Sequence, residues 1–433
     1  MARDSYTMKR FHTYRWLIFG MIGVLYFLVH LQRLAPTVIA RDLALSFSAD
    51  AMLLGVIASS YFYLYALAQP VVGYLSDTAG PRKVIAFSFL LTSLGTLLFA
   101  LAPSATVATA GRALVGFGAG GVFIPGLKIF SRWYRVDEFA VLTGLMLTIG
   151  GLGGLSSALP LTYLVLATGW RMAFVGIGLL SLLLALACWL VIRDSPEEKG
   201  WPPVPTVGLS QPVPGEGEMP MAQRLKMIFR SFNFWMITLS TFFTGAVMIT
   251  FQGLWAVPYL MDVFHVNRVI AGTTLMLIPL GFALGGPTLG WVAQRLGMDP
   301  KRVVIWTLLL GLAGWLTLIF LQDKGLYWLV FPLFFFFGLA GGGTTPILFA
   351  ITRDLFPPSL MGTATGLMNM AAFLGTALYQ PLTGFMLQQF PAIQAGEYPV
   401  AAYRVLMAFF FLSYGTAILA TGLLKRKPPP AAG

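Results

Sequence analysis

Long runs of apolar positions alternate along this chain with short polar segments, and twelve such runs can be counted. Residues 91–110 and 139–167, for example, carry no charge at all. An α-helix needs about 20 apolar residues to cross roughly 30 Å of hydrocarbon, and lipid offers the backbone no hydrogen-bonding partner outside its own helix. The pattern therefore predicts spans near residues 16–40, 51–75, 84–102, 106–130, 139–164 and 171–192, then 234–260, 268–294, 303–321, 327–352, 361–388 and 400–424. The first run lacks a small-residue cleavage site behind it, so it reads as a retained helix rather than a removable signal.

Between the sixth and seventh runs lies the longest polar stretch, residues 193–231, with a Pro/Gly-rich middle at 201–220. The sequence thus divides into an N-terminal six-helix bundle (1–192), a flexible linker loop (193–232), and a C-terminal six-helix bundle with a short basic tail (233–433). With both ends placed in the cytoplasm, 20 of the 28 basic residues fall on that side. The positive-inside bias accordingly predicts cytoplasmic termini.

Laid side by side, the halves repeat. Gly73-Tyr-Leu-Ser-Asp77-Thr-Ala-Gly80-Pro-Arg82-Lys83 closes the second run, and Gly290-Trp-Val-Ala-Gln294-Arg-Leu-Gly297 with Lys301-Arg302 closes the eighth. Gly116, Gly118, Gly120, Gly121 and Pro125 in the fourth are echoed by Gly338, Gly341, Gly342, Gly343 and Pro346 in the tenth. Two parallel six-helix repeats are a transporter architecture, in which the substrate site is expected near mid-membrane at the interface of the repeats.

Composition narrows the alternatives. The chain is 57% hydrophobic and 10% charged, too few charges for the surface of a soluble domain of 433 residues. Its net charge of +12 is spread in short clusters between apolar runs, which argues for membrane orientation and against a nucleic-acid partner. One cysteine, Cys188, allows neither a disulfide framework nor a cysteine metal site. The glycine strings lie inside apolar helices, without the strand, lysine or acidic partner of a phosphate-binding loop. No H-E-x-x-H pair occurs, so neither an enzyme, a metal nor a cofactor is expected.

The Gly73 to Lys83 segment resembles the loop signature G-x-L-x-D-R-x-G-R-R/K of the major facilitator superfamily, with Thr78 at a commonly basic position and Pro81 displacing the basic pair by one. Arg112 opening the Gly-rich fourth run, Arg132-Trp133-Tyr134 closing it, and Gly169-Trp170-Arg171 opening the sixth resemble the organic-anion branches of that family. The resemblance implies an all-α membrane protein of twelve transmembrane helices in two six-helix bundles related by a pseudo-two-fold axis. It also implies gating and coupling roles for Gly73, Asp77, Gly80, Arg82, Lys83, Arg112, Arg132 and Arg135, with Arg112 packed behind the cavity unless it sits at the outer interface.

The chemistry of individual residues points the same way. Asp77 ends a helix where it can pair with Arg82, Lys83, Arg132 or Arg135, or rest as an interfacial residue. Tyr26, His30 and Arg33 share one face of the first helix. Arg33 lies about 10 Å inside the span at 1.5 Å per residue, where a guanidinium calls for an anionic ligand, a structural partner or a route outward to the headgroups. All sixteen acidic residues fall in loops, tails or helix ends, leaving no mid-membrane carboxylate for a cationic substrate. His30 is the one histidine placed to titrate within a span, or to serve as a neutral hydrogen-bonding group. Tyr61 and Tyr65 with Gln69, then Gln252, Trp255 and Tyr259 beside Pro258, and Asn369 with Phe373, align at helical spacing as further pocket or packing residues; Thr344 and Thr345 add hydroxyls.

The expectation is a monomeric secondary transporter in a bacterial inner membrane, moving a small mono- or dicarboxylate anion by alternating access, through proton symport or anion exchange. Movement of a neutral or lipophilic molecule by the same fold is the alternative, and a transporter-like receptor a third.

Overall fold

The computed structural model describes residues 2–204, 221–321, 324–356 and 358–425. Each predicted run is helical, but several spans are built from two pieces. In the first half, α1 (Ala2–Leu34) and α2 (Pro36–Phe47) make the first span, α3 (Ala51–Thr78) the second and α4 (Pro81–Ala100) the third. The fourth joins α5 (Ala105–Ala119) to α6 (Phe123–Trp133), the fifth joins α7 (Val136–Ser156) to α8 (Leu159–Thr168) with a 44° bend, and α9 (Trp170–Val191) is the sixth. A short helix α10 (Met221–Phe229) precedes the second half. There α11 (Phe232–Thr250) and α12 (Ala256–Phe264) form the seventh span around a π-helical turn, Phe251–Trp255. The eighth comprises α13 (Arg268–Leu275) and α14 (Leu277–Arg295), followed by α15 (Pro300–Phe320), α16 (Val330–Leu355), α17 (Pro358–Leu387) and α18 (Val400–Gly422). Among the described residues the sole β feature is a bridge between Gln394 and Glu397.

Prolines set two of the breaks. Pro36 opens α2 and has no N–H to return to the carbonyl of Gln32, four residues back. Pro258 likewise cannot serve the carbonyl of Leu254, and the π turn lies over that residue, the Ala256 N–H reaching back to Phe251. The first helix of each half is therefore discontinuous, a feature that apolar run length alone did not reveal.

The chain forms two compact units: Met1–Ala49 with Val56–Gln211, and Asp50–Gly55 with Pro212–Gly433. The passage from the first unit to the second, after Gln211, falls within the expected linker at 193–232. Residues 193–201 belong to the first unit because Trp201 is held among Phe11, Tyr14 and Trp133, with ring centroids 5.6, 5.3 and 6.0 Å away. Trp133 Nε1 donates to the Arg193 carbonyl at 2.9 Å, and the Lys199 ammonium lies 5.1 Å from the Tyr14 ring centre. Composition marked this stretch as loop; a half-buried indole packed on three rings turns it into a strap. Residues 205–220 of the expected linker lie outside the described residues.

Within each unit glycines bring helix backbones into contact. A Cβ on Gly116 of α5 would lie 2.0 Å from the Tyr61 carbonyl oxygen of α3, and one on Gly338 of α16 would lie 1.9 Å from the Ile278 carbonyl oxygen of α14. The sequence repeat is thus also a repeat of a packing contact, the kind that small residues permit between helices in lipid.

Candidate functional site

The first unit gathers the predicted polar residues of α1 and α3 around one guanidinium. On α7, Gly150 leaves room for Tyr26 and His30: a Cβ there would come within 2.6 Å of the Tyr26 ring and 3.0 Å of His30 Cε1. Tyr26 also stacks on Phe123 of α6 at 5.3 Å. His30 lies edge-on to the Tyr26 ring, with centroids 4.4 Å apart. Its Nδ1 is 3.1 Å from the Tyr26 carbonyl oxygen, which can only accept, so Nδ1 carries the hydrogen. The other nitrogen, Nε2, then has a lone pair directed at Arg33 Nη1, 3.5 Å away.

Arg33 occupies the last turn of α1, just before the Pro36 break. Its guanidinium carbon lies 4.8 Å from the Tyr65 ring centre, and the phenols of Tyr61, Tyr65 and Tyr26 are all within electrostatic reach. Tyr61 and Tyr65 stack at 5.8 Å and 12°. The ring face of an aromatic attracts a cation, so this pair supplies partial negative charge where no carboxylate exists. Residues 16–41, 51–76, 78–136 and 139–193 contain neither aspartate nor glutamate.

Arg112 stands behind this face. It is 1% exposed, and its guanidinium carbon lies 4.9 Å from the Tyr61 ring centre. Nη1 donates to the Gln32 carbonyl at 2.9 Å, while Nε and Nη2 make no protein hydrogen bond. That carbonyl is the one Pro36 leaves without its helical N–H. Arg112 therefore supplies the donor that the proline removed and holds the turn that carries Arg33. What sequence reasoning missed is the partner of Arg112, legible in principle from a proline four residues after Gln32. Thr96 completes the support by donating to Gln32 Oε1 at 2.6 Å.

The predicted gating residues are distributed differently from the expected cluster. Arg82 turns to α9, donating to the Trp189 carbonyl at 2.6 and 3.1 Å and stacking on its ring at 4.8 Å. The backbone N–H of Arg82 is received by Asp194 at 2.6 Å. Gly80, at φ 96°, lies so close that a Cβ would meet the same carboxylate at 2.4 Å, and positive φ also favours glycine. Asp194 is thus the acidic partner of this loop that the sequence did not announce. Arg135 is exposed and begins α7, its N–H going to Glu138 Oε2 at 3.0 Å, while Glu138 also forms a two-point ion pair with Arg15 at 2.8 and 3.0 Å. Arg132 lies near Glu197, whose carboxyl is held below the usual range by the Ser195 hydroxyl first, then by a backbone N–H, with Arg132 adding the smallest share. Lys83 is exposed and Gly73 borders open space. The side chain of Asp77 lies outside the described residues.

In the second unit the expected alignment of Gln252, Trp255 and Tyr259 breaks at the π turn, whose wider i→i+5 winding rotates Gln252 away from the other two. Trp255 and Tyr259 are each 1% exposed; Trp255 Nε1 donates to Thr383 Oγ1 at 2.8 Å, and Tyr259 packs on Tyr403 at 5.6 Å. Gln252 stays half-buried. Asn369 is exposed and Phe373 buried, although they sit one turn apart on α17. Thr344 closes a hydroxyl pair with Thr307 at 2.7 Å. Through the glycine contact, Ile278 holds the place that Tyr61 holds in the first unit.

Twelve helical spans, two repeated units and an arginine embedded in one of them define an integral membrane carrier with its fixed charge in the first half. The chain belongs to the Major Facilitator Superfamily, whose family model matches residues 22–297 and 253–433. It is accordingly a transporter and not an enzyme. It is 26% identical over 88% of its length to a probable sulfoacetate transporter of Cupriavidus necator, covering 89% of that protein. It is 24% identical to the hexuronate transporter of Escherichia coli K12, with 87% and 88% of the two chains covered. Among solved structures, an inward-facing bacterial homologue of the human lysosomal transporter Spinster superimposes with a TM-score of 0.77 at 19% identity, covering 96% of this chain and 99% of that one. A D-xylose-proton symporter gives 0.73 at 15% identity, covering 96% and 98%.

Proposed function

We propose that this protein is a secondary transporter of small organic anions, working by alternating access as a proton symporter or an anion exchanger. The observation that carries the proposal is Arg33: a guanidinium deep in an apolar span, fronted by Tyr61, Tyr65 and His30, in a half where residues 16–41, 51–76, 78–136 and 139–193 hold no carboxylate. A cation so placed prefers a ligand that brings the missing negative charge, and a fork of N–H donors suits a carboxylate, sulfonate or phosphate. The sulfoacetate and hexuronate carriers named above transport molecules of that chemistry, which supports the reading. We place both termini in the cytoplasm, on the distribution of its basic residues, and take the protein as a monomer of a bacterial inner membrane.

The test is counterflow of labelled sulfoacetate and galacturonate in proteoliposomes, with a neutral sugar and a lipophilic cation as comparison substrates. Wild type should exchange at least one of the anions, and Arg33→Ala should lower the rate at least about tenfold, the loss of one charge-assisted contact worth about 1.5–3 kcal/mol. Unchanged exchange by Arg33→Ala removes the residue from the site, and transport of the neutral or lipophilic compound alone replaces the reading.

A further inference from the structure

We propose that His30 Nε2 is the proton-binding atom of this carrier, filled when an anion docks on Arg33; the inference rests on the anion reading above. The contacts of the ring suit a neutral imidazole: Nδ1–H points to the Tyr26 carbonyl, and Nε2 faces Arg33 Nη1 at 3.5 Å. A proton on Nε2 would set two cations against each other. An anion seated on Arg33 reverses the sign of that environment. A proton from the aqueous phase then adds to the Nε2 lone pair, Nδ1–H stays in place, and the resulting imidazolium shares the bound anion with the guanidinium. Two fixed cations match a ligand with two acid groups, which singles out dianions as preferred cargo.

Among the described residues of the first unit, no other titratable group competes for this proton. From α1 come Tyr26 and Arg33; α3 brings Tyr61 and Tyr65, and α5 brings Arg112 on the far side of Tyr61. Phe123 of α6 covers Tyr26, and α7 presents Gly150, with no acidic or basic residue from 139 to 156. Lys128 of α6 donates to Ser76, Arg171 of α9 donates to the Ala100 and Ala102 carbonyls, and α2 carries Arg41 and Asp42 about three turns beyond His30. Phenols and guanidinium groups hold their protons through the neutral range, so the Nε2 lone pair of the imidazole is the one site here left to accept a proton.

Binding of anion and proton must then be reciprocal. Sulfoacetate is a suitable probe because its acid groups stay ionised between pH 5.5 and 8, carboxyl groups titrating near about 4. Calorimetric titration of the purified protein in two buffers of different ionisation enthalpy gives protons taken up per sulfoacetate bound. Wild type should take up close to one, and its apparent Kd should weaken by up to about tenfold per pH unit as pH rises. His30→Gln, read at saturating sulfoacetate so that any change in affinity drops out, should take up none; His30→Asn serves as the second variant. Sulfoacetate binding by wild type without proton uptake overturns the assignment while leaving the anion reading intact. So does wild-type stoichiometry in His30→Gln, which puts the proton elsewhere. Failure of wild type to bind either sulfoacetate or galacturonate would instead remove the anion reading, and this inference with it.

Discussion

Replacing Arg112 by methionine keeps most of the side-chain volume but takes away the donor that meets the Gln32 carbonyl. Two effects of opposite sign follow. An orphaned buried carbonyl costs about 1–3 kcal/mol, whereas deleting a buried cation whose Nε and Nη2 lack partners relieves a desolvation penalty. The single variant cannot separate them, but a cycle with Pro36→Ala can. Alanine at 36 restores an N–H that can reach the Gln32 carbonyl once α1 and α2 join as a continuous helix, while the desolvation effect is common to both backgrounds. The cycle should therefore return a coupling of about 1–2 kcal/mol, with Arg112→Met costing less when residue 36 is alanine. Unfolding in mixed micelles by graded SDS, followed by far-UV circular dichroism, supplies the four stabilities. Additivity within about 0.5 kcal/mol would refute the claim that arginine repairs what proline broke.

Gly116→Ala forces a methyl against the Tyr61 carbonyl and should reduce recovery of monodisperse protein in size-exclusion chromatography, overpacking of this kind costing about 1–3 kcal/mol. Asp194→Ala removes the acceptor for the Arg82 N–H at the start of α4; loss of such a cap costs about 1 kcal/mol, and backbone hydrogen exchange at residues 82–84 should accelerate about fivefold. Trp201→Ala should free the strap at 193–201, so that trypsin cuts after Lys199 several-fold faster than in wild type. Equal cleavage rates would show that the indole holds nothing.

What the sequence disclosed depended on local information. Apolar run length located the spans, since a helix in lipid has to satisfy its own backbone. The depth and shared face of Tyr26, His30 and Arg33 followed from counting residues along one helix, and the structure brings these three together. Contacts between distant segments were less legible. Nothing near Arg82 in sequence points to the Trp189 carbonyl or to Asp194, 112 residues away. The alignment of Gln252 with Trp255 and Tyr259 assumed an unbroken α-helix, and Pro258 undid it through the carbonyl four residues earlier. Trp201 was hidden in a stretch whose composition reads as linker, although an indole among prolines and glycines was itself a cue to a docking point.

The backbone-to-backbone seams at Gly116 and Gly338 have a practical consequence for watching this protein move. Helices joined at carbonyl distance cannot slide without collision, so α3 with α5, and α14 with α16, serve as fiducial posts. Spectroscopic labels fixed to exposed positions on these pairs would report displacement of whole bodies, with little contribution from internal creep. Changes confined to labels beyond the Pro36 or Pro258 breaks would mark bending at those breaks alone.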